Sequence, residues 1–452
     1  MLRERRKKTN CWVAAMTLLL PAPLVTRTAG AHTPLDQPVD KPNVIVIVTD
    51  DQRGGIEVMP ETERRFVDEG RSYPNALVTT PLCCPARASI MTGRYVHNHG
   101  VLSNGEDDWR DLDHDQTIQH LLHEAGYHTA LFGKFLNHWP IQSAPPGFDE
   151  WAVLPDVTGR LGYYGSEWNV NGDIKRVHRY STDYLTDKAT RFISDRETTD
   201  DEPWYMYIAT GAAHRSFVAE PAYSDAPVPR WRGNPAVFEK DRSDKPSYVR
   251  SSHHSFKEGQ QVRKKQFRTL MSVDDLVGRV VAATESLAED TLMIYVSDSG
   301  YMWGEHGLAN KQVPYEESVA IPMWLRWTDD VAGSSDDRIA SNIDIAPTIA
   351  AAAGVTIDAD GKDLLDPSWA RDRLLLEYFG DDNAPSIPRW ASTWTRDGQY
   401  VEYYNASGDV IDREYYNLLV DPWQLSNAGS PPDSTWRARL TADRQCSETT
   451  CP

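Results

Sequence analysis

The chain is 452 residues long and carries a formal charge of -19. That acidity excludes nucleic-acid binding and wide docking on polyanions as the main task, while leaving room for a small basic pocket. The length suits one large domain with an ample core and a smaller companion.

Residues 1–31 read as a signal peptide. A basic "RERRKK" precedes the apolar run "CWVAAMTLLLPAPLV", which is too short to span a bilayer comfortably. "TAGAHT" then offers a small-residue cleavage site after Ala31. An uncleaved membrane anchor is the alternative. No later segment is long and apolar enough to cross a membrane. The mature chain is therefore expected to be secreted or periplasmic, with neither a membrane nor a nucleic acid as partner.

Four short apolar runs share one design. In chain order they are "NVIVIVTDD", ending at Asp50 and Asp51; "HTALFGK", ending at Lys134; "WYMYIATGAAH", leading to His214; and "TLMIYVSDSG", ending at Asp298 and Ser299. Runs with little polar alternation predict buried parallel strands. Helical patterns separate them: "TIQHLLHEAG", whose Gly126 suits a helix end, then "STDYLTDKATRFISD". The long amphipathic stretch "QQVRKKQFRTLMSVDDLVGRVVAATESL" and "IDIAPTIAAAAG" follow. Strands alternating with helices predict an α/β, mostly parallel sheet covered on both faces. Ligands then bind beyond the carboxyl ends of the strands, where these polar residues cluster.

Residues 215–260 are rich in Pro, Ser and charge, and a loop that long is either functional or mobile. Residues 41–365 form the expected main domain. From 366 to 452 the aromatic, alternating pattern predicts a small C-terminal subdomain with an antiparallel sheet. Cys446 and Cys451 are spaced for a short disulfide.

Asp50, Asp51 and Asp298 at two strand exits, with the Ser299 hydroxyl, offer a hard-oxygen cage suited to one calcium ion. Solvated acidic turns are the competing reading. "TTPLCCPARASIMTGRY" raises a separate question, because adjacent cysteines rarely pair with each other. Pro85 suits the first turn of a helix, which puts Cys83 at its N-terminus, where an anion is favoured. A thiolate nucleophile and an inert buried thiol are both open on these residues alone.

"LCCPARASIMTGRY" resembles the sulfatase signature Cys-x-Pro-x-Arg followed by a helix and Thr-Gly. "GYHTALFGKFLN" resembles the second sulfatase signature. "NVIVIVTDDQ" and "SDSGYMWGEHGLANKQVPYEES" resemble the family's metal-bearing segments, and the order is the family's. The doubled cysteine, "GRYVHNHGV" and "GKFLN" look most like the branch acting on N-acetylglucosamine-6-sulfate groups of glycosaminoglycans.

The resemblance implies an alkaline-phosphatase-like fold and a calcium-dependent sulfatase. It implies that a formylglycine-generating enzyme oxidises Cys83 to formylglycine (3-oxoalanine) during export, leaving Cys84 a thiol. The aldehyde hydrate carries two hydroxyls on one carbon. One attacks sulfur and the alcohol leaves; the other, deprotonated, expels sulfate and restores the carbonyl. By the same resemblance Asp50, Asp51, Cys83, Asp298 and Ser299 surround the metal. Arg87 orients the hydrate, Lys134 and Lys311 hold sulfate oxygens, and His214 serves the leaving group. Ser299 stands where relatives carry Asn or His, and Leu136 where many carry His. Glu305 and His306 are expected to brace their loop. The implied substrate is a 6-sulfated amino sugar or an aryl sulfate. The rivals are a phosphomonoester or phosphonate hydrolase of the same superfamily, and a sulfated-glycan-binding protein if Cys83 stays a thiol.

Overall fold

The computed structural model describes residues 41–155, 162–199, 202–285, 290–327 and 333–452. The leader reading, residues 1–31, lies outside them. Among the described residues, ten strands build the main sheet. They begin with β1 (Asn43–Thr49), β2 (Arg71–Ser72), β3 (His128–Lys134), β4 (Glu150–Leu154), β5 (Ser166–Val170) and β6 (Asp173–Val177). β7 (Trp204–Ala209) and β8 (Thr291–Ser297) follow. After the two-residue ribbon β9 (Met302–Trp303) and β10 (Ala309–Asn310) come β11 (Met323–Arg326) and β12 (Ser334–Ser335). Their order across the sheet is β12-β2-β11-β8-β1-β7-β3-β4-β5-β6.

The four runs singled out in the sequence are β1, β3, β7 and β8. β1 pairs parallel with β7 and β8, and β3 pairs parallel with β7 and β4. All seven residues of β1 are buried. Its alternate side chains feed two cores, as the two-residue period of a strand requires: Val44, Val46 and Val48 enter one, Ile45 and Ile47 the other. Helices Ser181–Thr199 and Phe256–Thr284 supply the second core through Leu185, Phe192, Phe267, Leu270 and Val277. Helices Cys83–Thr92, Ile118–Glu124 and Ile345–Ala353 supply the first through Ala88, Ile90, Leu122 and Ile349. Both faces are thus covered, as parallel pairing demands. The fold is the α/β architecture expected from the sequence.

Local signals account for the helix ends. Ser255 caps Phe256–Thr284 in a reciprocal box with Glu258. Gly133, just before Lys134, has φ +113, and a Cβ there would lie 1.8 Å from the Ala209 carbonyl oxygen. Only glycine lets β3 run this close to β7 at the strand exit.

The separate four-stranded sheet is antiparallel throughout: β13 (Leu374–Tyr378), β14 (Arg389–Trp394), β15 (Gly398–Tyr404) and β16 (Val410–Asn417). Its buried Leu376, Trp390 and Tyr403 join the same core as Val44 and Val46. Cys446 and Cys451 form the expected disulfide. Among the described residues no helix is long and apolar enough to cross a membrane.

Candidate active site

The exits of β1, β3, β7 and β8 point their polar residues at one buried centre. Asp50 is fixed by backbone bonds at both ends: its N–H donates to the Ala212 carbonyl (2.9 Å), and its carbonyl accepts from Ala213 N–H (2.7 Å). Asp51 follows with φ +63, a left-handed turn that Asp tolerates better than most residues. That turn brings two consecutive carboxylates to one place. Asp298 N–H donates to the Thr49 carbonyl (3.0 Å), and Asp298 Oδ1 accepts from Asp51 N–H (3.2 Å). Asp50, Asp51 and Asp298 each offer an oxygen within 4.8 Å of the other two, and all three are buried.

Cys83 opens the helix Cys83–Thr92, and its Sγ lies 3.7 Å from Asp50 Oδ1. Lys311 Nζ donates to Cys83 Sγ (2.8 Å) and to Asp51 Oδ1. Lys134 Nζ donates to Asp50 Oδ2 (2.8 Å). Arg87 is wholly buried. Its Nε donates to Asp298 Oδ2 (2.9 Å), its Nη1 to the Lys134 carbonyl (3.1 Å) and its Nη2 to Asp50 Oδ2 (3.4 Å). Ser299 Oγ donates to Asp51 Oδ1 (2.9 Å). His214 Nε2 is 3.7 Å from Asp51 Oδ2, and its side chain, 20% exposed, is the most open of the group. All nine side chains singled out in the sequence therefore meet.

Three carboxylates face three buried cations here. Burial alone would push the Asp50 carboxyl up, but Lys134, His214, Arg87 and Lys311 hold it well below the usual range. Burial, together with the Asp50 charge, pushes the Asp298 carboxyl up. Burial pulls Lys311 down, yet Asp51 and its neighbours raise it well above the ordinary lysine value. Burial and Asp50 push the Cys83 thiol up to about 12. A nucleophilic cysteine needs the opposite shift.

His214 Nδ1 lies 2.7 Å from the Arg215 carbonyl. A carbonyl only accepts, so Nδ1 is the donor in that contact and Nε2 is the nitrogen that faces Asp51. The donor set fits one hard divalent cation: three clustered carboxylates and a hydroxyl, with like charges close enough to raise one pKa. Ser299 Oγ still has lone pairs free after donating to Asp51.

Several supporting residues had no individual signal. Gln266 Nε2 donates to the Asp51 carbonyl (3.1 Å) and the Ala213 carbonyl (3.2 Å), locking the turn. An amide on the apolar face of a helix, beside Phe267 and Leu270, is the cue that could have found it. Asn104 Oδ1 accepts from Cys84 N–H (2.9 Å), steadying the helix start. Leu136 is buried, and Asn137 Oδ1 beyond it is buried with no hydrogen-bond partner among the described residues. Glu305 accepts from Arg53 Nη1 (2.8 Å) and Trp303 N–H (2.6 Å), and His306 Nδ1 lies 2.8 Å from Glu239. Those contacts brace the loop before Lys311.

A family model described as sulfatase matches residues 42–355. One described as N-sulphoglucosamine sulphohydrolase, C-terminal, matches residues 304–440. The chain is 29% identical to the N-acetylglucosamine-6-sulfatase of Homo sapiens, covering 91% of this chain and 86% of that protein. It is similar in fold to a solved structure in complex with its substrate D-glucosamine-2-N,6-O-disulfate. That match has a TM-score of 0.77 at 24% identity, over 89% of this chain and 96% of that one. A phosphonate monoester hydrolase of Agrobacterium radiobacter shares the fold at a TM-score of 0.66 and 21% identity, over 89% of this chain and 94% of that one.

Proposed function

This chain belongs to the sulfatase family and is a sulfuric ester hydrolase; from that premise we propose that it removes 6-sulfate from amino sugars, using Cys83 oxidised to formylglycine and one calcium ion. The observation that carries the reading is the meeting of Asp50, Asp51 and Asp298 with Cys83 and Lys311 in one buried cluster. The substrate class rests on the human relative named for N-acetylglucosamine-6-sulfate and on the fold neighbour bound to a glucosamine disulfate.

Asp50, Asp51 and Asp298 would hold the ion, with Ser299 Oγ within reach. Cys83 Sγ stands in for the oxygen its oxidised side chain would carry. When present, the ion polarises a sulfate oxygen and the hydrated aldehyde supplies an oxygen nucleophile that a thiol lacks. Arg87 fixes the Asp298 and Asp50 carboxylates and the Lys134 backbone, so the cage keeps its shape. Lys311 sits against the reacting side chain and Lys134 beside Asp50, placing positive charge where the sulfuryl oxygens gain negative charge. His214, at the open side with its Nε2 turned inward, delivers a proton to the departing sugar oxygen.

Residues 41–365 form the catalytic domain in this reading, and 366–452 the C-terminal α+β subdomain. The disulfide between Cys446 and Cys451 fits the exported location that the leader suggests. Coexpression with a formylglycine-generating enzyme, then assay on N-acetylglucosamine-6-sulfate and the nitrophenyl esters of sulfate and phosphate, tests the proposal. Sulfate release that a chelator abolishes and calcium restores is expected. Faster turnover of the phosphate ester, or sulfate release indifferent to chelation, would overturn it.

A further inference from the structure

An open groove of about 670 Å³ lies between residues 225–231 and the first turns of the helix Phe256–Thr284. Arg230, Arg263, Lys264 and Arg268 bring four cations to it against one carboxylate, Asp225. In a chain of net charge -19 this is a local reversal of sign. Three side chains of the helix build the wall. Arg263 Nη1 donates to the Pro229 carbonyl (2.8 Å), Arg268 Nε to the Ala226 carbonyl (3.0 Å) and Gln260 Nε2 to the Trp231 carbonyl (3.0 Å). The groove's shape therefore does not depend on a ligand. Arg263 also pairs with Glu57 (2.7 Å). Arg230 and Lys264, by contrast, are exposed and form no ion pair among the described residues. Between these cations, half-buried Trp231 stacks at a tilt on Phe256, ring centroids 5.3 Å apart.

We propose that this groove binds a stretch of sulfated polysaccharide of the substrate's class, outside the catalytic centre. Free cations recognise sulfate groups, and the face of an indole suits the apolar face of a sugar ring. The groove is also wired close to the reacting site. Trp231 abuts Trp303 (5.5 Å between centroids), Trp303 Nε1 donates to Gln266 (2.6 Å), and Gln266 holds the Asp51 carbonyl. Duplex nucleic acid is the poorer occupant, because its bases stack inside the helix and offer Trp231 no exposed apolar ring face. The inference rests on the proposed substrate for the choice of polymer and not on turnover.

Binding of a heparin oligosaccharide by full-length Cys83→Ala protein, followed by calorimetry across a salt series, tests it. The double substitution Arg230→Ser and Lys264→Ser should weaken binding about fivefold to tenfold and make its salt dependence shallower. In the otherwise unmodified chain the same pair should leave nitrophenyl sulfate turnover unchanged. Unchanged heparin affinity in the double variant, or duplex DNA binding as tightly as heparin, would overturn the assignment. A chain that releases no sulfate from any ester, yet loses heparin affinity on the double substitution, would sink the proposed reaction and leave this surface standing.

Discussion

Replacing Lys311 with alanine separates catalysis from metal binding. Its Nζ touches Cys83 Sγ at 2.8 Å, donates to Asp51 Oδ1 and lies 3.9 Å from Asp50 Oδ1. At an effective dielectric constant of about 20, two unit charges about 4 Å apart interact by ~4 kcal/mol. Part of that attraction is already present with bound substrate. The part that grows with transition-state charge matches the loss seen when one preorganised donor is removed, about 10²–10³ in kcat. The same substitution takes a competing cation away from Asp50 and Asp51, so calcium affinity should hold or rise. Hydrolysis of nitrophenyl sulfate gives kcat and KM, and elemental analysis gives the calcium content. Both are compared with the parent at equal aldehyde content. A kcat within about threefold of the parent, or a fall in calcium content large enough to explain the loss, would refute the assignment.

His214→Ala should cost about 10²–10³ on a sugar sulfate, and far less on nitrophenyl sulfate, whose leaving group departs without a proton. Equal losses on both esters would remove His214 from that role. Asp298→Asn leaves the fully buried Arg87 with its bond to the Lys134 carbonyl and with Asp50, at 3.4 Å, as its remaining ion pair among the described residues, and should lower stability in chelator by about 1–3 kcal/mol. An unchanged urea midpoint would contradict it. Burial pulls the His97 imidazole down, but its hydrogen bond to Glu377 (2.8 Å) and that carboxylate's charge raise it above 6.5 overall. A raised folded value stabilises fully below the ordinary value and loses its contribution as pH rises through the folded one. His97→Gln should therefore destabilise more at about pH 5.5 than at about pH 8.5, and a penalty independent of pH would refute the pairing.

The central strands were legible because β1, β3, β7 and β8 are continuous apolar runs, which only a sheet buried on both faces accommodates. The edges were not. β6 reads "DIKRV" and is largely exposed, so no apolar pattern announces it. β2 and β12 are two residues each, held by their neighbours rather than by their own composition. β13, "LLLEY", has the continuous apolar run of the parallel strands, yet lies in the antiparallel sheet expected after residue 366, because strand direction is set by tertiary pairing. In the site, residues at strand exits were readable from their position. Gln266 and Asn104 reach in from a helix and a loop and act on backbone groups, which spacing along the chain does not encode.

Tandem mass spectrometry of the peptide spanning Thr79 to Tyr95, from protein matured beside a formylglycine-generating enzyme, addresses the chemistry at its source. The account predicts that residue 83 has lost its sulfur and reacts as an aldehyde with a hydrazine probe, while Cys84 alkylates as a thiol. Sulfate ester hydrolysis by protein whose Cys83 alkylates completely and carries no aldehyde would contradict it.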